Sequence, residues 1–303
     1  MKLLLPDWDA ARALDGLPAG IERVESSGHP PLPDGLADVE FAVVEPRPDG
    51  DPETLMPALE RVRVVQSVSA GVDWLLPLLG DGVTLCDAAG VHDAPVAEWT
   101  VGVILAMAKG LPDLLGAQHQ GTWRKQDGED LEGAEVLIVG HGSIGRALQA
   151  RLEPFGVRVR GVARRPRPGL ATLAELPVLL GSADVVVILL PHTPATHKLV
   201  DAAFLDRMRP GVLLVNAARG AIVDTEALLG ALQAGRIRAA IDVTDPEPLP
   251  DGHPLWSAPN LLLTPHVAGD VPGFPPRAMA FARDQVRRYV AGEALLNVVE
   301  GDY

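Results

Sequence analysis

Three polar side chains stand where an apolar sheet has no use for them: Arg219 in VLLVNAARG, Glu247 in DVTDPEPLP and His266 in LLLTPHVAG. Each follows a short apolar run of strand length and is expected just beyond a strand end. Their chemistries are complementary. Arginine can clamp a carboxylate with two parallel hydrogen bonds and polarise the carbonyl next to it. Histidine titrates near neutrality, so it can give a proton to a carbonyl oxygen and take it back. A carboxylate bonded to the imidazole favours its protonated form and fixes its orientation. Any one of the three, taken alone, reads as a solvated turn residue. Three in order at three successive strand ends point to a site that interconverts a carbonyl and an alcohol on an acidic substrate.

The elements that must position them begin with EVLIVGHGSIGRAL, residues 135–148. A buried strand is followed by Gly140, Gly142 and Gly145 in the spacing G-x-G-x-x-G, and a helical pattern continues from 144 to 152. The first glycine permits the tight turn, the second lets a pyrophosphate approach the backbone, and the third lets the helix pack closely on the strand. The helix N-terminus, at Ser143 and Ile144, adds free N–H groups and a positive dipole end. A dinucleotide cofactor is therefore expected. The next strand, VRVRGVA, ends at Ala163 and is followed by Arg164, Arg165, Pro166 and Arg167. An acidic residue there would bond the ribose 2′-hydroxyl of NAD, whereas arginine accommodates the 2′-phosphate of NADP. Arg164 and Arg165 thus favour NADP, with NAD the alternative.

Short apolar runs alternate with helical patterns along most of the 303 residues, which implies an α/β fold with parallel sheets covered on both faces. Strands are expected at 3–5, 41–44, 63–65 and 83–85, then at 136–139, 157–162, 185–190, 212–216, 239–243 and 261–263. A long helical stretch at 96–115 separates the two sets and serves as a hinge. VAGDVPGFPP, after His266, is expected to break regular structure, and an amphipathic helix follows at 277–291. The expected architecture is two Rossmann-like or flavodoxin-like domains. A dinucleotide-binding domain of residues 98–270 is inserted in a discontinuous substrate domain of residues 1–97 plus 271–303.

Composition narrows the partners. A formal net charge of −14 argues against a nucleic-acid surface, and an anionic ligand must be met by a local group of arginines or backbone N–H donors. The longest apolar run, 99–108, is too short to span a bilayer. The one cysteine, Cys86, excludes an internal disulfide and fits a reducing cytoplasm; it reads as a small buried residue at a strand end. No Cys/His cluster points to a metal.

The chain resembles the D-isomer-specific 2-hydroxyacid dehydrogenases, the family that includes glyoxylate/hydroxypyruvate reductases. The matching segments are QSVSAGVDWL, APVAEWTVGVILA, GHGSIGRAL, LPHTPATHKLV, MRPGVLLVNAARGAIVD, DVTDPEPLP and TPHVAG. The resemblance implies Arg219 as substrate clamp, Glu247 as partner of the histidine and His266 as acid/base. It places Asp242 against the nicotinamide amide and gives the substrate carboxylate to the loop Val68-Ser69-Ala70-Gly71. With Pro191, Ala217, His266 and Gly269, the turn glycines, Ser143, Ile144, Arg164, Arg165 and Asp242 make up the expected nucleotide site. Members of the family are usually homodimers joined through their nucleotide domains. Two departures stand out: His141 lies between the first two glycines, where the family usually has leucine or phenylalanine, and DVPGFPP replaces a Ser/Thr-rich continuation. The expected activity is reduction of a small 2-oxo acid to its D-2-hydroxy acid. The alternatives are a phosphite or 3-phosphoglycerate dehydrogenase, or a nucleotide-sensing binding protein akin to the corepressors that resemble this family.

Overall fold

The computed structural model describes residues 1–12, 14–45 and 52–300. The chain forms two compact units, Met1–His92 with Val271–Tyr303, and Asp93–Asp270.

In the first unit β1 (Lys2–Leu5), β2 (Glu22–Glu25), β3 (Val39–Val44), β4 (Val64–Ser67) and β5 (Thr84–Cys86) pair in parallel in the order β2-β1-β3-β4-β5. This is the flavodoxin-like order. Alternate residues enter opposite cores: Leu3, Leu5, Phe41 and Val43 on one face, Leu4, Ala42, Val44 and Val65 on the other. Burial on both faces explains why these strands read as continuous apolar runs. β2, with the sequence ERVE, gives no such signal because it is a mostly exposed edge strand, and charge on an edge blunts pairing with other chains. The last helix, Phe274–Ala291, starts three residues earlier than its apolar pattern suggests. Pro275 and Pro276 do not break it; they occupy its first turn, where a missing N–H costs nothing.

In the second unit β6 (Glu135–Val139), β7 (Arg158–Ala163), β8 (Ala171–Thr172), β9 (Val185–Ile188), β10 (Leu213–Asn216), β11 (Arg238–Ile241) and β12 (Leu261–Leu263) form a parallel sheet in the order β12-β11-β10-β9-β6-β7-β8. Counted from β6, this is the Rossmann order with one strand added, and the order reverses between β6 and β9. The register is level across the sheet. Val139 pairs with Ile188, Ile188 with Asn216, Asn216 with Ile241 and Ile241 with Leu263. The residues that follow these five, from Gly140 to Thr264, therefore emerge along one carboxyl edge.

The helical stretch expected at 96–115 is two helices, Asp93–Ala108 and Leu111–His119, bent by 68°. Gly110 takes a left-handed conformation (φ 64°) at the break. Pro112 follows and has no N–H to continue the ladder to Ala108, whose carbonyl accepts from the Glu129 N–H instead (2.8 Å). No single helix among the described residues is long and apolar enough to cross a membrane.

Candidate active site

The glycine turn is built by close approach. Gly140 has φ 107°, and a Cβ there would lie 2.4 Å from the Leu189 carbonyl carbon. A Cβ at Gly145 would lie 2.8 Å from the Gly140 carbonyl oxygen, so the helix can sit on the strand only with glycine at that position. Gly142 differs: the space its Cβ would enter holds no protein atom within 4 Å, at the N-terminus of the helix Ser143–Leu152. Two tight contacts and one open approach at a helix N-terminus fit a pyrophosphate. His141 is buried, its Nε2 lying 2.7 Å from Gln149 Oε1 and its ring against Gly161 of β7. At the end of β7, Ala163 is buried, whereas Arg164, Arg165 and Arg167 are exposed. Pro191 is also exposed and its carbonyl accepts from Thr196 Oγ1 (2.7 Å). Ala217 and Gly269 are half-buried.

The edge of β10, β11 and β12 carries the polar residues. Buried Asn216 closes the turn after β10: its amide donates to the Arg219 carbonyl (3.0 Å) and its oxygen accepts from the Ala218 N–H (3.1 Å). Next to it, Gly220 lies against the segment after β11, where a Cβ would fall 1.9 Å from the Thr244 carbonyl oxygen. Only glycine lets these two loops meet so closely. That contact brings Arg219 alongside the DPEP turn that carries Glu247. His266 follows β12 in the left-handed region (φ 54°), a conformation uncommon for a residue with a side chain and one that its surroundings must enforce.

Asp242 enforces it. This buried carboxylate accepts from Thr264 Oγ1 (2.5 Å) and the Val267 N–H (2.9 Å) at Oδ1, and from the Ala268 N–H (2.8 Å) at Oδ2. The Asp242 carbonyl also accepts the His266 N–H at 2.7 Å. Asp242 therefore folds the turn that carries the imidazole, a role its position at a strand end did not announce. The pattern that could have revealed it is a carboxylate able to reach a Thr-Pro-His turn on the neighbouring strand.

His266 Nδ1 donates to Glu247 Oε1. That bond raises the imidazole above the ordinary histidine value; burial opposes the rise, the Glu247 charge supports it, Arg219 opposes it and Asp242 adds a smaller push upward. Burial alone would lift the Glu247 carboxyl. The His266 bond and charge, the Thr244 N–H (3.3 Å) and the Arg219 charge instead leave it below the usual glutamate range. Arg219 thus acts on both partners, and the three side chains form one electrostatic group within the second unit. The Arg219 guanidinium donates to its neighbour's carbonyl, Ala218 O, at 2.9 Å.

Ser69, Ala70 and Gly71 belong to the first unit, in the loop after β4. Ser69 donates its N–H to Ser67 Oγ (3.0 Å) and its hydroxyl to the Gly71 carbonyl (2.8 Å), so the loop is internally braced. His192 and His197 lie 3.3 Å apart through Nε2 and Nδ1, and His253 caps a short helix through the Leu255 N–H. Among the described residues, no group of three or more His, Cys, Asp and Glu side chains is placed to hold a metal ion.

Comparison with known proteins matches residues 101–268 to the family described as D-isomer specific 2-hydroxyacid dehydrogenase, NAD binding domain. A glyoxylate reductase of Thermofilum pendens is 35% identical over 229 residues, 71% of this chain and 68% of that protein. A D-isomer specific 2-hydroxyacid dehydrogenase of Xanthobacter autotrophicus Py2, solved with NADPH and MES, superposes with a TM-score of 0.83 at 30% identity, covering 99% of this chain and 97% of that one. An NADPH-dependent glyoxylate/hydroxypyruvate reductase of Sinorhizobium meliloti, solved with NADP and sulfate, gives a TM-score of 0.85 at 26% identity, covering 99% and 98%.

Proposed function

The chain belongs to the D-isomer specific 2-hydroxyacid dehydrogenases, enzymes that use NAD or NADP, and from that premise we propose that it reduces glyoxylate and hydroxypyruvate with NADPH. The observation that carries this reading is the His266–Glu247 bond beside Arg219, on the same sheet edge as the glycine turn. The resemblance in sequence to a glyoxylate reductase supports the substrate class.

In this reading Gly140, Gly142, Ser143, Ile144 and Gly145 hold the pyrophosphate, with Pro191, Ala217, Asp242, His266 and Gly269 along the rest of the nucleotide. The bound nicotinamide supplies the hydride for reduction and accepts it for oxidation. Arg219 clamps the substrate carboxylate and polarises the adjoining carbonyl, and the family resemblance supports reading the loop Ser69-Ala70-Gly71 as a contact for the substrate carboxylate. His266, whose bond to Glu247 favours its protonated form, gives a proton to the carbonyl oxygen as C2 receives the hydride. The product is the alcohol; His266 is left neutral and regains its proton from solvent. In the oxidative direction neutral His266 takes the hydroxyl proton.

A panel of 2-oxo acids, each tried with NADPH and NADH at 340 nm, tests the proposal; no turnover of glyoxylate or hydroxypyruvate with either cofactor removes it. Arg164 is the residue to alter for cofactor choice. Arg164→Asp replaces a cation by an anion where a 2′-phosphate would lie, so the ratio of kcat/KM for NADPH over NADH is expected to fall by about a hundredfold or more. A wild type that already prefers NADH refutes the arginine argument.

The reading includes a homodimer joined through the second unit. After the helix break this unit exposes Leu111 (46%), Leu115 (53%) and Trp123 (91%), large apolar side chains with no core of their own. Sedimentation should show a dimer, and Leu115→Asp with Trp123→Asp should shift it toward monomer. A wild-type monomer at micromolar concentration contradicts this assignment.

A further inference from the structure

Two amides are fully buried in the first unit, Gln66 at the centre of β4 pairing and Gln285 on the last helix. Burying an amide is costly unless every donor and acceptor is met. Here the bonds are met in one direction only. Gln285 Oε1 accepts the Leu296 N–H (2.9 Å) and Gln285 Nε2 donates to the Leu296 carbonyl (2.8 Å), which fixes the orientation of that amide. The same Nε2 donates to Gln66 Oε1 at 2.8 Å. Gln66 Nε2 must then point the other way, and it donates to the Ser67 carbonyl (2.7 Å) and the Asp87 carbonyl (2.9 Å).

The two carbonyls it grips open two loops at the carboxyl edge of the sheet, 67–71 after β4 and 87–91 after β5. Those loops are joined to each other, since the Ala88 N–H donates to the Ser69 carbonyl at 3.0 Å. The second loop is tied as well to the segment after the last helix: the Asp87 N–H donates to the Asn297 carbonyl (3.0 Å) and Asn297 Nδ2 to the Ala89 carbonyl (2.9 Å). A continuous chain of bonds therefore runs from Leu296 through Gln285 and Gln66 to the backbone of Ser67 and Ser69.

We propose that Gln66 and Gln285 are positioning residues that hold the loop Ser69-Ala70-Gly71 in its substrate-binding conformation. The proposal rests on the reading of that loop as a contact for the substrate carboxylate. Neither amide touches substrate. Their effect is preorganisation: with the link intact the loop meets the carboxylate already ordered, and with it cut the ordering must be supplied at each binding event.

The test uses Gln66→Met, Gln285→Met and the double variant, in the full-length protein. Each single change strands the partner amide, leaves unmatched the backbone groups that the replaced amide held, and lowers Tm; the double variant strands no amide but still leaves the Leu296, Ser67 and Asp87 groups unmatched, so its loss of Tm is smaller than the sum of the two single losses. The expected readout is faster hydrogen exchange at 67–71 and 87–91 in all three variants. KM for glyoxylate should rise about tenfold or more, with kcat and the NADPH Kd changed less than about twofold. In the double variant the loss of Tm is less than additive while KM and loop exchange stay raised. Wild-type KM and wild-type loop exchange in variants whose Tm has fallen assign the pair to folding alone and overturn the proposal. Faster exchange with an unchanged KM overturns the assignment of substrate to this loop, and the positioning role with it.

Discussion

His266→Ala is expected to lower kcat for 2-oxo acid reduction by about two to four orders of magnitude, with a much smaller change in KM. The reason is the timing of the proton. As hydride reaches C2, charge develops on the carbonyl oxygen, and an imidazole already charged and already oriented can neutralise it without reorganisation. Glu247 and the left-handed turn anchored by Asp242 supply those two conditions. Unaltered turnover in His266→Ala would end the acid/base assignment. The pH profile refines it. Reduction needs the imidazolium, and the folded protein raises its pKa above the ordinary histidine value of about 6.5. The kcat/KM for reduction should therefore fall as pH rises past that raised value, at a higher pH than an ordinary histidine would give. Glu247→Gln removes the leading cause of the rise, so the fall should begin at lower pH, with lower activity at pH 8 than at pH 6. A profile that Glu247→Gln leaves in place contradicts the pairing.

Arg219→Ala is expected to lower kcat/KM by about a hundred- to a thousandfold, shared between a higher KM and a lower kcat. A clamp on the carboxylate contributes to binding, and polarisation of the carbonyl contributes only as the transition state forms, so both parameters move. Arg219→Lys should restore little, because a point charge cannot reproduce the planar fork. The pH profile supplies an independent sign. Arg219 pushes the imidazole pKa down, so its removal should shift the alkaline fall to higher pH, opposite to the shift from Glu247→Gln. Shifts in the same direction in the two variants would show that the three side chains do not form the electrostatic group described here.

Much of this molecule was legible before any coordinate. Parallel strands buried on both faces must be largely apolar, so the ten expected strands are visible as short runs rich in valine, isoleucine, leucine and alanine, and all ten are found with ends shifted by a few residues. The exposed edge strand β2 and the two-residue β8 bury too little to leave such a mark. The bend at Gly110 was hidden for a different reason: apolar spacing continues across it, and Gly110 and Pro112 had to outweigh the periodicity. The prolines at 275 and 276 were over-read as a break, because proline is tolerated at a helix start and excluded only from its interior.

The candidate site divides along the same line. Residue type and spacing are local properties, and they were enough to single out Arg219, Glu247, His266 and the three glycines of the turn. What required the tertiary structure is everything made by residues distant in sequence. The level register of five parallel strands delivers the polar residues to one edge, and a missing side chain at Gly220 lets two loops touch. Asp242 reaches across to a turn more than twenty residues later, and two buried glutamines, 219 residues apart, close a chain of hydrogen bonds. Side chains declare the chemistry they are capable of, but direction and proximity are set by packing and hydrogen bonding between segments, which no single stretch of sequence contains.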